Sequence, residues 1–285
     1  FSIFMLGLAV IVSAVFSVGN KHKKDSANAV TTIYADAESY LSGYATETGV
    51  LPDTFDLSDT YPIMPENQVN TDLCWIYASQ KALETCLMVE ANEYHNFSEL
   101  ATAMFAYQAG QSATINTTGT FEKFNYTTQN YGLVFESDFS NDNVYDVSED
   151  NFDNYSYVFD FATDNISHAV KPIVFTESAT YDEADLDKKI EIIKRFVMEH
   201  GGLYLGLEPG AIYSGNNGAT YEKYVKGVND DAILNSTGKP FLTGHAVTII
   251  GYNEYCFVAL NSWGVESNSY KQFYVPYDYL EMYNN

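Results

Sequence analysis

The order of hydrophobic patterns along the chain constrains its fold most: helical periodicity comes first and extended apolar runs come later. Over Leu73 to Glu90 the residues Leu73, Ile76, Tyr77, Leu83, Leu87 and Met88 recur at three- and four-residue steps, the spacing of one helix face. Asp72 is placed to cap it. Ser98 to Gln108 predicts a second helix, with Ser98 as cap and Glu99 in its first turn. Asp182 to His200 predicts a long amphipathic helix. Leu186, Ile190, Ile193 and Val197 line one side, and Gly201-Gly202 ends it. Short apolar runs suited to strands follow at 203–207, 246–252, 256–260 and 273–275. Helices gathered ahead of strands imply an α+β chain with a helical lobe and a sheet lobe. No internal repeat is visible.

The remaining stretches connect these elements. Pro52, Pro62 and Pro65 keep the segment from 51 to 67 extended. Residues 112–180 are rich in Asn, Asp, Thr and aromatics with poor periodicity, which predicts loop with one helix near Thr120 to Tyr131. Residues 216–239 are polar and Gly-rich and predict a long surface loop.

Residues 1–19 are apolar apart from three serines, and Lys21, His22, Lys23 and Lys24 follow. A helix of that length is about enough to cross a bilayer, so this segment is expected to be a signal peptide or membrane anchor. A buried core helix is the alternative. Residues 20–50 are expected to be a linker or short pro-segment with one short helix near 31–44, and residues 51–285 the functional domain. Six Asn-x-Ser/Thr triplets begin at Asn96, Asn116, Asn125, Asn154, Asn165 and Asn235, and they fit an exported, glycosylated or surface-tethered protein.

Composition excludes several classes. Hydrophobic residues make up 46% and charged residues 18%, enough apolar material for a core and unlike a disordered chain. The net charge of −24 would repel a nucleic-acid backbone, and no basic stripe offsets it. Three cysteines, Cys74, Cys86 and Cys256, are too few for a disulfide scaffold and leave an odd thiol.

Cys74 falls at a helix start, where unpaired backbone N–H groups and the macrodipole favour a thiolate, the attacking form of cysteine. By itself such a cysteine equally fits a buried structural thiol. His245 stands between Gly244 and an apolar strand. Asn261 ends the next apolar run and opens Asn-Ser-Trp-Gly. If the two strands form a hairpin around Asn253-Glu254, His245 and Asn261 meet, and the Asn carbonyl could accept the imidazole N–H and fix its tautomer.

Together, Gln68, Cys74-Trp75, Gly244-His245-Ala246-Val247 and Asn261-Ser262-Trp263-Gly264 resemble the papain-like cysteine peptidases in identity, order and local spacing. Gln68 stands six before Cys74 and Asn261 sixteen after His245, as in that family. Leu51 to Leu57 is similar to the start of the mature enzymes, Tyr131 to Ser137 to a stretch of their left lobe, and Gly201 to Leu207 to one of their strands. The chain also departs from the pattern. Thr71-Asp72-Leu73 precedes Cys74 without the usual cysteine. Gly244 replaces an Asp or Asn, and Ser267-Asn268 replaces a second Trp-Gly. Gly119 is the nearest candidate for the usual cleft glycines. His245 lies 171 residues past Cys74, against roughly 130–150 in the family.

The resemblance implies a two-lobed papain-like fold, with a helical left lobe, an antiparallel sheet or barrel in the right lobe, and the active-site cleft between them. It implies a peptidase, expected to be an endopeptidase and a monomer, acting on peptides or proteins without metal or organic cofactor. Cys74 would be the nucleophile in a thiolate–imidazolium pair with His245. Asn261 would orient His245 and Trp263 would shield that bond. Gln68 and the Cys74 backbone N–H would hold the oxyanion, and Trp75, Gly119 and Gly244 would support the cleft. Two other expectations stay open: a catalytically weak surface-binding protein on the same fold, and an acyl transferase using the same residues.

Overall fold

A computed structural model describes residues 8–14, 33–35, 50–162, 169–175, 183–207, 213–214, 244–264 and 272–277. Four α-helices are present among them: α1 (Cys74–Ala91), α2 (Glu99–Gln108), α3 (Phe121–Tyr131) and α4 (Glu183–His200). The strands are β1 (Leu8–Ala14), β2 (Ile33–Ala35), β3 (Phe55–Asp56), β4 (Ala169–Phe175), β5 (Leu203–Leu207), β6 (Tyr213–Ser214), β7 (His245–Tyr252), β8 (Cys256–Leu260) and β9 (Gln272–Pro276). Within the described residues they form one sheet in the order β2-β4-β1-β5-β7-β8-β9-β6, with β3 paired to β7. All pairings are antiparallel except β2 with β4. The architecture is the α+β, two-lobed one.

Each lobe has its own core. The helical lobe packs Leu73, Trp75, Phe97, Leu100, Phe105, Phe121 and Phe124. The sheet lobe packs Leu205, Val247, Ile249, Phe257, Val258 and Val275 under Ile192, Ile193, Phe196 and Val197 of α4. The apolar face expected on α4 is therefore the buried one at Ile193 and Val197, with Ile190 partly buried beside them. The Leu186 side chain lies outside the described residues.

Helix α1 sits at the seam. The sequence suggests a one-faced helix, yet every residue from Trp75 through Met88 is buried. One side meets the helical lobe. The other is fastened to the sheet by hydroxyls: Thr248 Oγ1 donates to Ala78 O at 3.0 Å, and Gly202 N donates to Thr85 Oγ1 at 2.9 Å. Gly202 needs its lack of a side chain here, since a Cβ would come within 2.7 Å of Thr85 Oγ1. A helix held on all sides gives its first residue, Cys74, a fixed position.

Several expectations are corrected. Leu8–Ala14 is not helical; it is a strand hydrogen-bonded along its length to β4. An all-apolar run has no period to separate a strand from a helix, so length alone suggested the helix. No helix among the described residues is long and apolar enough to cross a membrane. Ile33–Ala35, expected within a short helix, is a strand paired in parallel with β4. Residues 112–180 hold more than α3: 3-10 helices run over Asn141–Tyr145 and Glu149–Phe161, and β4 follows. Asp72 does not cap α1. Leu73 is the cap residue, and no side chain bonds to the helix start. Ser98 does cap α2, accepting from Ala101 N at 3.1 Å. The predicted loop over 216–239 lies outside the described residues.

Candidate active site

His245 is the first residue of β7, and the β7–β8 hairpin turns through Asn253 to Tyr255. Thr248 faces Leu260 in that hairpin. Continuing the register toward the open end carries His245 beside the residues that follow β8, and Nε2 of His245 lies 2.8 Å from Asn261 Oδ1. A carboxamide oxygen only accepts, so Nε2 carries the hydrogen and Nδ1 is the nitrogen left to exchange a proton with a substrate or nucleophile. The Trp263 indole lies against the imidazole, with ring centroids 5.1 Å apart and planes 31° apart. Asn261 itself is buried. The expected meeting of His245, Asn261 and Trp263 is therefore present, and Gly244 is the exposed residue just ahead of the strand.

Cys74 opens α1 and is partly buried. The backbone N–H groups of Ala246, Trp75 and Cys74 itself lie close enough to its sulfur to favour its charged form. Ala246 is the neighbour of His245, so the helix start of one lobe meets the strand start of the other. Burial nevertheless pushes the Cys74 thiol above its ordinary pKa, and the nearby Asp72 carboxylate adds to the rise against those three N–H groups. Burial also holds the His245 imidazole below its ordinary value, opposed by the Asn261 bond. Burial thus opposes the charged form of each group taken singly.

Gln68 is buried and lies on the segment ahead of α1. Its Nε2 donates to Thr71 O at 2.7 Å, three residues before Cys74. Trp75 anchors the start of α1: it is 1% exposed, and its Nε1 donates to Thr117 O at 2.8 Å. Gly119 lies flat on that indole, where a Cβ would sit 2.4 Å from Cε2. Asn116 Oδ1 in the same segment accepts from Asp72 N at 2.7 Å. Residues 116–119 are thereby fixed beside the nucleophile candidate, Gly119 through its contact with Trp75.

Two further residues lie in matching stretches, but the sequence assigns them no role. Tyr204 of β5 is buried, and burial first, then charge at the neighbouring Cys74, raises its phenol. Ser262 bonds to Gln68 across 194 residues of chain. Among the described residues no cluster of His, Cys, Asp or Glu is arranged to hold a metal ion.

The family model for papain family cysteine proteases matches residues 51–275. The chain therefore belongs to the papain family of cysteine proteases. Its fold is similar to a clostridial cysteine protease after propeptide cleavage, at 16% identity and a TM-score of 0.50, covering 79% of this chain and 53% of the other. The chain thus spans about half the length of that protein. Xylellain, a cysteine protease from Xylella fastidiosa, is similar at 16% identity over 94% of this chain and 95% of its own, with a TM-score of 0.48. A digestive procathepsin L from Tenebrio molitor larval midgut gives 15% identity over 86% and 69%, with a TM-score of 0.48. No curated protein matches the chain.

Proposed function

We propose that this chain hydrolyses peptide bonds, internal ones included, with Cys74 as nucleophile. The observation that carries the reading is the meeting of the α1 start and the β7 start: the Ala246 backbone lies close enough to the Cys74 sulfur to favour its charged form, and the adjacent His245 is oriented by Asn261 at 2.8 Å.

The reaction follows from the residues. His245 Nδ1 takes the thiol proton, and the Cys74 thiolate of the resulting thiolate–imidazolium pair attacks the substrate carbonyl carbon. A C–S bond forms and the carbonyl π pair moves to oxygen. The oxyanion accepts from the Cys74 backbone N–H and from Gln68 Nε2, and one such donor is typically worth roughly 3 kcal/mol. The imidazolium, stabilised by Asn261, gives its proton to the leaving amine and the C–N bond breaks. Water, deprotonated by His245, then hydrolyses the thioester and returns the thiol.

Residues 51–285 would make the catalytic domain. Export fits the exposed Asn116 and Asn154; Asn96 is exposed but Phe97 and Ser98 of its triplet are buried, and Asn125 is buried and bonded to Gln129. An anchor helix over Leu8–Ala14 would have to give up its pairing with β4. Amino-terminal sequencing of the mature protein separates a removed leader from a retained strand. Digestion of a peptide library by wild type and by a Cys74→Ala variant tests the peptidase reading. Cleavage by wild type alone supports it, and equal cleavage by both rejects it.

A further inference from the structure

The segment that carries Gln68 and the segment after Asn261 form a short antiparallel strap. Gln68 N donates to Ser262 O at 2.8 Å, Gly264 N donates to Glu66 O at 2.8 Å, and Asn67 pairs with Trp263 between them. Inside the strap Ser262 Oγ donates to Gln68 Oε1 at 2.5 Å. Gln68 Nε2 donates to Thr71 O at 2.7 Å. Both side chains are buried.

A carboxamide has a donor end and an acceptor end, and a half-turn exchanges them. Thr71 O can only accept, so it demands the nitrogen end. The Ser262 hydroxyl supplies a proton to the oxygen end. A flipped amide would set Oε1 against Thr71 O, two acceptors in a buried place. Nε2 has two hydrogens, and Thr71 takes one; the other is available to an oxyanion. Without a donor at Oε1, the carbonyl end would be buried unpaired and would gain by turning toward water.

We propose that Ser262 is a positioning residue for the oxyanion donor: its hydroxyl holds the Gln68 carboxamide in the one orientation that presents nitrogen to the reacting carbonyl. Asn261 and Ser262, adjacent in the chain, then orient the base and the oxyanion donor respectively. The inference rests on the peptidase reading of this site.

The test uses the full chain with Ser262→Ala and Ser262→Thr, each alone and with Gln68→Ala. The readouts are kcat and KM for a fluorogenic peptide amide, inhibition by the peptide aldehyde leupeptin, and the rate of Cys74 alkylation by iodoacetamide. Alkylation displaces iodide from carbon and forms no oxyanion, so it reports the thiol and the fold alone. Expected for Ser262→Ala is a kcat lower by about three- to tenfold, the size of one lost hydrogen bond. KM should hold within about twofold, aldehyde inhibition should weaken by the same factor as kcat, and alkylation should stay at the wild-type rate. Ser262→Thr keeps the hydroxyl and should restore kcat. In the Gln68→Ala background, Ser262→Ala should cost nothing further. An unchanged kcat in Ser262→Ala, or an equal loss with Gln68→Ala present, overturns the proposal. If Ser262→Ala does not fold, Ser262→Gly is read in its place by the same criteria. A wild-type protein that alkylates at Cys74 but cleaves no peptide defeats the peptidase reading, and this inference with it.

Discussion

Nε2 of His245 and Oδ1 of Asn261 are 2.8 Å apart, and this contact decides which imidazole nitrogen can do proton chemistry. Nε2 is committed as a donor, so Nδ1 is the basic nitrogen. Asn261→Ala removes the contact. Losing a bond of about 1.4–2.8 kcal/mol that strengthens as imidazolium forms lowers kcat/KM by about ten- to a hundredfold. The pH profile moves as well. Burial already places the His245 pKa below its ordinary 6.5, and the Asn261 bond raises it partway back. The acid limb of kcat/KM should therefore lie below pH 6.5 in the wild type and lower still in Asn261→Ala. A limb that moves up would contradict the assignment.

Gly119 is required by the Trp75 indole beneath it. A Cβ would stand 2.4 Å from Cε2, and the ring is held by its bond to Thr117 O. Gly119→Ala should destabilise the fold by about 1–3 kcal/mol through overpacking. Thermal unfolding measures this, and an unchanged Tm would show that the segment can move away at no cost.

Lys81 is buried between Glu84 at 2.5 Å and Glu66 at 3.0 Å. Burial draws its pKa down, but Glu84 and Glu66 outweigh that and keep it charged. Glu84 also accepts from Phe97 N at 2.9 Å, so the ion pair fastens α1 to the chain entering α2. Lys81→Met leaves that carboxylate buried without its cation and should cost about 3–5 kcal/mol. Adding Glu84→Gln, which keeps an acceptor for Phe97 N, should recover a large part of the loss. Urea unfolding of the single and double variants checks both outcomes.

Glu99 is fully buried. Burial, then the charges of Glu84 and Glu66, raise its pKa well above the ordinary carboxylate value of 4.5. A raised carboxylate pKa makes the folded state bind the proton more tightly. Its stabilisation is complete below about pH 4.3, the unfolded pKa, and fades as pH climbs through the folded pKa. Glu99→Gln imitates the protonated form and can still accept from Asn141. The variant should match wild type near pH 4, with its Tm advantage growing toward neutral pH. A constant Tm difference across that range would contradict a protonated Glu99.

The catalytic candidates were legible because their geometry is local or hairpin-borne. Sixteen residues from His245 to Asn261 span one strand, a turn and a second strand, so the spacing itself brings the two together. Cys74 at a helix start was legible from the periodicity that follows it. What escaped reading depends on distant partners. Ser262 meets Gln68 across 194 residues. Asp72 looks like a cap, but Leu73 takes that place and the Asp72 N–H bonds to Asn116. Strand β4 runs unbroken through Pro172, a residue that reads as a strand breaker unless the sheet contact is known. The raised Cys74 pKa also reflects burial between two lobes, which a helix-start rule does not contain.

The central claim is that Cys74, and neither Cys86 nor Cys256, is the reactive thiol. Burial pushes Cys86 up to about 12 and Cys256 is buried in the sheet core, while Cys74 is partly open. Treatment with an epoxysuccinyl thiol inhibitor, followed by peptide mapping and a peptidase assay, tests this most directly. One equivalent of label on Cys74, loss of peptidase activity in step with labelling, and neither label nor activity in Cys74→Ala is the predicted result. Peptidase activity that persists in Cys74→Ala, or label that falls on Cys86 or Cys256 instead, would contradict it.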